Sequence, residues 1–170
     1  MLVVEDSHLQ AKVLEKALTV AGFPVKITRD GVEAWRYLEH TTPDMIVSDI
    51  LMPAMDGYEL CRRIRAERRF DTTPVLLFSN MSAVEDLVAG LQAGADGYLT
   101  KPCPPEVLIE RLESVLGDTR CEAGPEGELQ ATAGGRTHLV AVNPRRTLSM
   151  LVSAFENAVR QTRMSFPEQD

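Results

Sequence analysis

The chain has 170 residues, of which 44% are apolar and 25% charged, with a net charge of −7. That length fits one domain of ordinary size plus an appendage, and the apolar share is enough for a packed core. The acidic balance argues against a general nucleic-acid binder, no run of about 18 apolar residues offers a membrane-spanning helix, and Met1–Val4 is too short and too soon acidic for a secretion signal. Cys61, Cys103 and Cys121 follow no metal-ligand spacing and read as reduced thiols of a cytoplasmic protein.

Leu2-Val3-Val4 reads as a strand that ends at Glu5 and Asp6. Ser7 is an N-cap for a helix carrying Leu9, Val13, Leu14, Leu18 and Val20, which Ala21-Gly22 closes. Val25, Ile27 and Thr28 form a second strand. Gly31 to Leu38 is a helix with Ala34, Trp35 and Leu38 on its inner face. Met45-Ile46-Val47-Ser48, preceded by the breaker pair Pro43-Asp44, is a short buried strand with Asp49 at its carboxyl end; Pro53 and Gly57 mark the loop that follows. Tyr58 to Ala66 is a helix with Leu60 and Ile64 facing in and Arg62, Arg63 and Arg65 facing out. Pro74 to Phe78 is the fourth strand, ending at Ser79. Ala83 to Gln92 is a helix with Leu87, Val88 and Leu91 inward and Gly94 as its C-cap. Gly97-Tyr98-Leu99 is the fifth strand, ending at Thr100-Lys101-Pro102. Pro104 then opens a helix with Val107, Leu108, Leu112 and Leu116 on one face, stopped at Gly117.

Five strand–helix units in alternation predict a parallel sheet with helices on both faces. The unusual polar residues, Glu5, Asp6, Asp49, Ser79 and Lys101, all follow strands, at the sheet edge where open α/β folds bind ligands. Three carboxylates brought together repel one another, and a divalent cation resolves the conflict. All-oxygen ligation suits Mg²⁺ or Mn²⁺. With the ammonium of Lys101 and the hydroxyl of Ser79 added, the set forms a site for a phosphoryl group, in which Asp49 can attack phosphorus to form an acyl phosphate. Taken singly, Glu5 and Asp6 could merely cap the first helix, Lys101 could be a structural ion pair and Ser79 a loop cap. The spacing of all five together is far more specific.

That spacing makes the chain recognisable. Val3-Val4-Glu5-Asp6, Ser48-Asp49-Ile50-Leu51-Met52-Pro53 with Asp56-Gly57, Ser79, and Thr100-Lys101-Pro102 resemble the response-regulator receiver domain of two-component signalling over about residues 1–117. The resemblance implies a doubly wound, flavodoxin-like five-stranded parallel sheet of order 2-1-3-4-5. It implies a phospho-acceptor at Asp49, and direct metal ligation by Asp6, Asp49 and the backbone carbonyl of Leu51, with Glu5 acting mainly through water. It further implies phosphoryl contacts from Ser79 and Lys101, a cis Lys101–Pro102 peptide, and a switch role for Tyr98, which would turn inward as Ser79 moves toward the phosphate. The partner implied is a histidine kinase or phosphotransfer protein, and the chain is expected to be a switch rather than an enzyme. An aspartyl phosphatase on the same fold would carry a second acid two residues after the nucleophile, where this chain has Leu51. Two departures stand out. Asn80 follows Ser79 where the family usually has a small residue, and Leu51 and Met81 are apolar where the family tunes attack of water on the acyl phosphate. Slow self-dephosphorylation follows as an expectation.

Composition changes near Asp118. Residues 118–127 read as a linker and 128–143 as a β-hairpin turned at Gly134-Gly135. Residues 144–170 read as a helix opened by Asn143-Pro144, with Leu148, Leu151, Val152, Phe155, Ala158 and Val159 as a stripe. The stripe needs a partner: either the first domain or, the preferred reading, the same helix of a second chain in a homodimer. His138, in a predicted strand, is a poor phosphotransfer candidate. Gly134 to His138, Arg145 to Leu148 and Phe155 to Gln161 look like the segment that follows an N-terminal receiver in some hybrid sensor histidine kinases. That second resemblance, together with the scant lead-in to the first strand, suggests a piece of a larger signalling protein.

Overall fold

The computed structural model describes residues 1–80, 84–118, 127–133 and 136–142. A five-stranded parallel sheet holds β1 (Leu2–Val4), β2 (Lys26–Thr28), β3 (Ile46–Ser48), β4 (Val75–Ser79) and β5 (Gly97–Thr100) in the order β2-β1-β3-β4-β5. The helices between them are α1 (His8–Val20), α2 (Gly31–Leu38), α3 (Gly57–Ala66), α4 (Val84–Ala93) and α5 (Pro105–Asp118). The sheet order and the flavodoxin-like topology agree with the expectation.

β1, β3, β4 and β5 are buried along their whole length because both faces are covered, whereas the edge strand β2 is exposed at Lys26. Leu2, Val4, Ile46, Val75, Leu77 and Tyr98 pack beneath α2, α3 and α4, with Ala34, Leu38, Leu60 and Ile64. Val3, Val47, Leu76, Phe78 and Leu99 point the other way, onto Leu14 and Leu18 of α1 and Leu108, Leu112 and Val115 of α5. This alternation follows from the two-residue period of a strand. Local signals set the helix starts: Ser7, Asp30 and Asp56 each accept a backbone N–H three residues on, at Gln10, Glu33 and Glu59.

Several expectations need correction. Leu9, Val13 and Val20 lie on the solvent side of α1, at 74%, 57% and 82% exposure; the buried face is Ala11, Leu14 and Leu18. Arg65 does not face outward with Arg62 and Arg63. Its guanidinium turns in to pair with Asp96 and to donate to the carbonyls of Gly94, Phe70 and Thr73. Gly117 does not stop α5, which runs to Asp118. Trp35 does pack inward against the core, as expected, partly buried.

The hairpin forms from β6 (Gly127–Ala133) and β7 (Arg136–Val142), antiparallel, with Ala133 opposite Arg136 and Gly127 opposite Val142. Its strands approach α4. The helix expected over 144–170, its stripe and Met81 lie outside the described residues, as does Cys121. Cys61 is buried and Cys103 half-buried.

Candidate functional site

The order β2-β1-β3-β4-β5 reverses direction between β1 and β3, where a crevice opens at the carboxyl edge. Val4 pairs with Ser48 in parallel register, so Glu5 and Asp49 leave the sheet side by side. The Asp49 N–H donates to the Val4 carbonyl at 2.9 Å, which carries the ladder one residue beyond the strand. Asp49 is 7% exposed and Glu5 1%, whereas Asp6, the next residue, is exposed. Ligand oxygens of Glu5, Asp6 and Asp49 lie within 4.8 Å of one another.

Backbone and loop fix the Asp49 carboxylate. Its Oδ1 accepts from the N–H groups of Ile50 at 2.5 Å and Leu51 at 3.3 Å. The loop can curl this tightly because Gly57 closes it: a Cβ there would stand 2.3 Å from the Asp49 carbonyl oxygen. Asp49 Oδ2 faces the ammonium of Lys101 at 2.7 Å. Lys101 follows β5, two strands away from β3, a separation of roughly 10 Å. Its aliphatic stem crosses the end of β4, with Nζ 5.1 Å from the centre of the Phe78 ring, to reach Asp49 and, at 2.7 Å, Glu5 Oε2. The Lys101 N–H donates to the Ser79 carbonyl at 2.8 Å, and the Lys101–Pro102 peptide is cis, in line with the expectation. Ser79, wholly buried, ends β4 between the acidic strands and Lys101.

Burial pushes the Glu5 carboxyl above the ordinary carboxylate range. The Lys101 ammonium pulls it back down, while the Asp49 charge adds to the rise. Glu5 also accepts from the Ser7 N–H at 3.2 Å. It is thus part of the ion pair itself, a direct role that the sequence did not suggest.

Tyr98 is 2% exposed and lies among the side chains beneath α3 and α4. It already occupies the inward position. Its hydroxyl donates to Tyr58, whose hydroxyl donates to the Asp86 carbonyl of α4 at 3.0 Å. Burial and the nearby Asp86 push the Tyr58 phenol up to about 12. Tyr58, a link between α3, β5 and α4, was missed in the sequence because an exposed helix start and a buried one read alike. Gln10, which also reaches Lys101, was missed for the same kind of reason.

The donor set fits a small hard divalent cation: three carboxylates, all oxygen, against a single ammonium. Asp6 and Asp49 would hold it, and the chain reaches the Leu51 carbonyl two residues after Asp49. Leu51 itself is 61% exposed and Asn80 is exposed, so both side chains stand at the rim.

Residues 1–113 match the family model described as response regulator receiver domain. The response regulator MprA of Mycobacterium sp. strain KMS is 38% identical over 126 residues, which are 74% of this chain and 54% of that protein. MprA of Mycobacterium avium strain 104 is 37% identical over 133 residues. The chain therefore spans about half the length of these curated relatives. Among solved structures, the signal receiver domain of a signal transduction histidine kinase from Syntrophus aciditrophicus is 42% identical, with a TM-score of 0.66, covering 73% of this chain and 95% of its own. The chemotaxis response regulator CheY4 of Vibrio cholerae is 33% identical, with a TM-score of 0.64, covering 67% and 95%.

Proposed function

Because this chain belongs to the response-regulator receiver family of two-component signalling, we propose that Asp49 accepts a phosphoryl group from a phosphohistidine. The observation that carries this reading is the Lys101 ammonium, held 2.7 Å from Asp49 Oδ2 beside a cluster of three carboxylates. In the transfer, an Asp49 oxygen forms the new P–O bond as the P–N bond to imidazole breaks, and the electron pair leaves with the imidazole. The donor imidazole takes up a proton. Lys101 and Ser79 supply positive charge and a hydrogen-bond donor where charge spreads over the phosphoryl oxygens. Mg²⁺ or Mn²⁺, held by Asp6, Asp49 and the Leu51 carbonyl, would neutralise charge on the same oxygens.

Receivers of this family are in general signalling modules rather than enzymes. The product here is a switch. Movement of Ser79 toward the phosphoryl group would be read by Tyr98 and passed through Tyr58 to α4. The cognate donor is a histidine kinase or phosphotransfer protein in the cytoplasm. No described helix is long and apolar enough to cross a membrane. The Syntrophus receiver, which belongs to a histidine kinase, supports the idea of a hybrid kinase, with residues 1–117 as receiver, 118–127 as linker, 128–143 as hairpin and 144–170 as a dimerising helix. A second reading, a stand-alone receiver whose tail folds back, draws on the approach of β6 and β7 to α4.

Phosphoramidate with Mg²⁺ should add one phosphoryl group to Asp49, visible by intact mass and removed by hydroxylamine. A chelator or Asp49→Asn should abolish it. Labelling that survives Asp49→Asn would refute the assignment. With apolar Leu51 at the rim of the site, the label should persist for many minutes. Light scattering on the whole chain and on residues 1–117, with and without beryllofluoride, tests the dimer: a monomer under every condition rules out the helix-mediated one.

A further inference from the structure

Lys101 carries three N–H donors, and the structure gives it three acceptors: Glu5 Oε2 at 2.7 Å, Asp49 Oδ2 at 2.7 Å and Gln10 Oε1 at 2.8 Å. Two of the three belong to the carboxylate cluster. The third is a neutral amide on the first turn of α1.

The placement of Gln10 is specific. Ser7 caps α1 by accepting the Gln10 N–H. Ser7-His8-Leu9-Gln10 is therefore the pattern of a capping box, in which the residue three after the cap reaches back to the cap's own N–H. That N–H is already taken, because Ser7 donates to Glu5 Oε1. Glu5 thus serves the cap with one oxygen and Lys101 with the other, and the Gln10 amide is turned to Lys101 instead.

We propose that Gln10 is a positioning residue for Lys101 and sets how fast Asp49 takes a phosphoryl group. The inference rests on the phospho-acceptor reading above. Its physical basis is charge. Asp49 and Glu5 both draw the ammonium toward the acids, and once the Asp49 oxygen bonds phosphorus it is a weaker acceptor. A neutral oxygen on the far side keeps Nζ suspended over the edge, free to turn one N–H to the incoming phosphoryl oxygens. It adds no negative charge to a site that already holds three carboxylates. A carboxylate at position 10 would hold Lys101 equally well but would repel the phosphoryl group. Leu9 and Val13 flank Gln10 on a groove between α1 and the start of α5, so a protein donor would report docking and positioning together. A small donor separates them.

The whole chain is used, with phosphoramidate and Mg²⁺, for the wild type, Gln10→Ala and Gln10→Glu. Labelling of Asp49 should slow about fivefold in Gln10→Ala, below the full loss of one charge-assisted hydrogen bond because Gln10 is solvent-exposed. It should slow further in Gln10→Glu, with the thermal midpoint of each variant near that of the wild type. The second readout needs no phosphate: proton exchange of the Lys101 ammonium, followed by ¹⁵N NMR in the resting chain. Gln10→Ala should speed that exchange several-fold, and Gln10→Glu should not. Equal labelling rates in Gln10→Ala and wild type would overturn the proposal. So would slower labelling with an unchanged Lys101 signal, which would mark a defect of the helix start. A wild type that takes no label overturns the phospho-acceptor reading instead, and the ammonium signal alone then decides whether Gln10 holds Lys101.

Discussion

The sheet carries a buried ion pair at each end, and the two are built on opposite principles. At the amino edge, Asp96 leads into β5 and pairs with Arg65 of α3. One acid meets one base. Arg65 also donates to Gly94 O at 2.8 Å, Phe70 O at 3.2 Å and Thr73 O at 3.0 Å, and Asp96 accepts the Val75 N–H at 2.7 Å. Gly94 permits the close approach: it has φ +85°, and a Cβ there would lie 2.8 Å from Arg65 Cγ. Charge cancels and the guanidinium is tied into backbone carbonyls, the arrangement that makes a buried pair tolerable. At the carboxyl edge, three carboxylates face one lysine. The charge does not cancel: burial raises the Glu5 pKa, the single Lys101 ammonium pulls it back, and the neighbouring Asp49 adds to the rise. The first pair closes the structure; the second leaves a deficit of positive charge that a cation and a phosphoryl group can fill. The imbalance, rather than burial, distinguishes a site from a staple.

The largest effect should come from cutting the staple. Arg65→Ala leaves Asp96 buried without its cation and should cost roughly 3–5 kcal/mol in urea unfolding. Arg65→Lys should recover only part of this, because a single ammonium cannot reach all of those acceptors. In conditions where the variant stays folded, Asp49 should still accept phosphate from phosphoramidate. Loss of labelling in a folded Arg65→Ala protein would break the separation between the two edges. Gly57→Ala comes next. Its Cβ would meet the Asp49 carbonyl, so the chain must shift at a cost of about 1–3 kcal/mol. Unlike Arg65→Ala, this change should depress stability and Asp49 labelling together.

Neutralising the site should do the reverse. Asp49→Asn keeps an oxygen for the Ile50 N–H while removing one of three crowded negative charges. In metal-free buffer the unfolding free energy should hold or rise by about 1 kcal/mol, whereas phosphoryl acceptance is lost. A drop of several kcal/mol would show that the carboxyl edge is a staple too.

Much of this contrast was readable in the sequence, and what was not has a physical reason. Most of the strands showed because β1, β3 and β4 are buried throughout and read as short apolar runs, and the carboxyl-edge residues showed because polar groups directly after such runs are unusual. Arg65 did not show. It follows Arg62 and Arg63 on α3, and only the tertiary approach of Gly94 and Asp96 tells the third arginine from the other two. Leu9 and Val13 misled in the opposite sense: they continue the apolar spacing of α1 but line a groove on its exposed side. Gln10 has the sequence of a capping residue, and its turn to Lys101 goes with Glu5 already holding the Ser7 N–H and with Lys101 arriving from β5, a contact 91 residues away in the chain.

The smallest effect sits between the two edges, in the uncharged chain from Tyr98 through Tyr58 to Asp86. Tyr58→Phe removes one hydroxyl and should cost about 1 kcal/mol or less near neutral pH. The pH dependence gives it a signature. The folded state holds the Tyr58 phenol at about 12, above its unfolded value, so its contribution is complete below pH 10 and is lost as pH rises through 12. Over that window the unfolded chain releases a proton that the folded chain retains, and wild-type stability should fall with a steeper slope than that of Tyr58→Phe. Parallel slopes would mean that the phenol is not held between α3 and α4. If the slopes differ and beryllofluoride then shifts the Tyr58 ionisation, the neutral chain reports the charged edge: a phosphoryl group drawing on Ser79 would reach α4 through two tyrosine hydroxyls, while the staple at the opposite edge stays fixed.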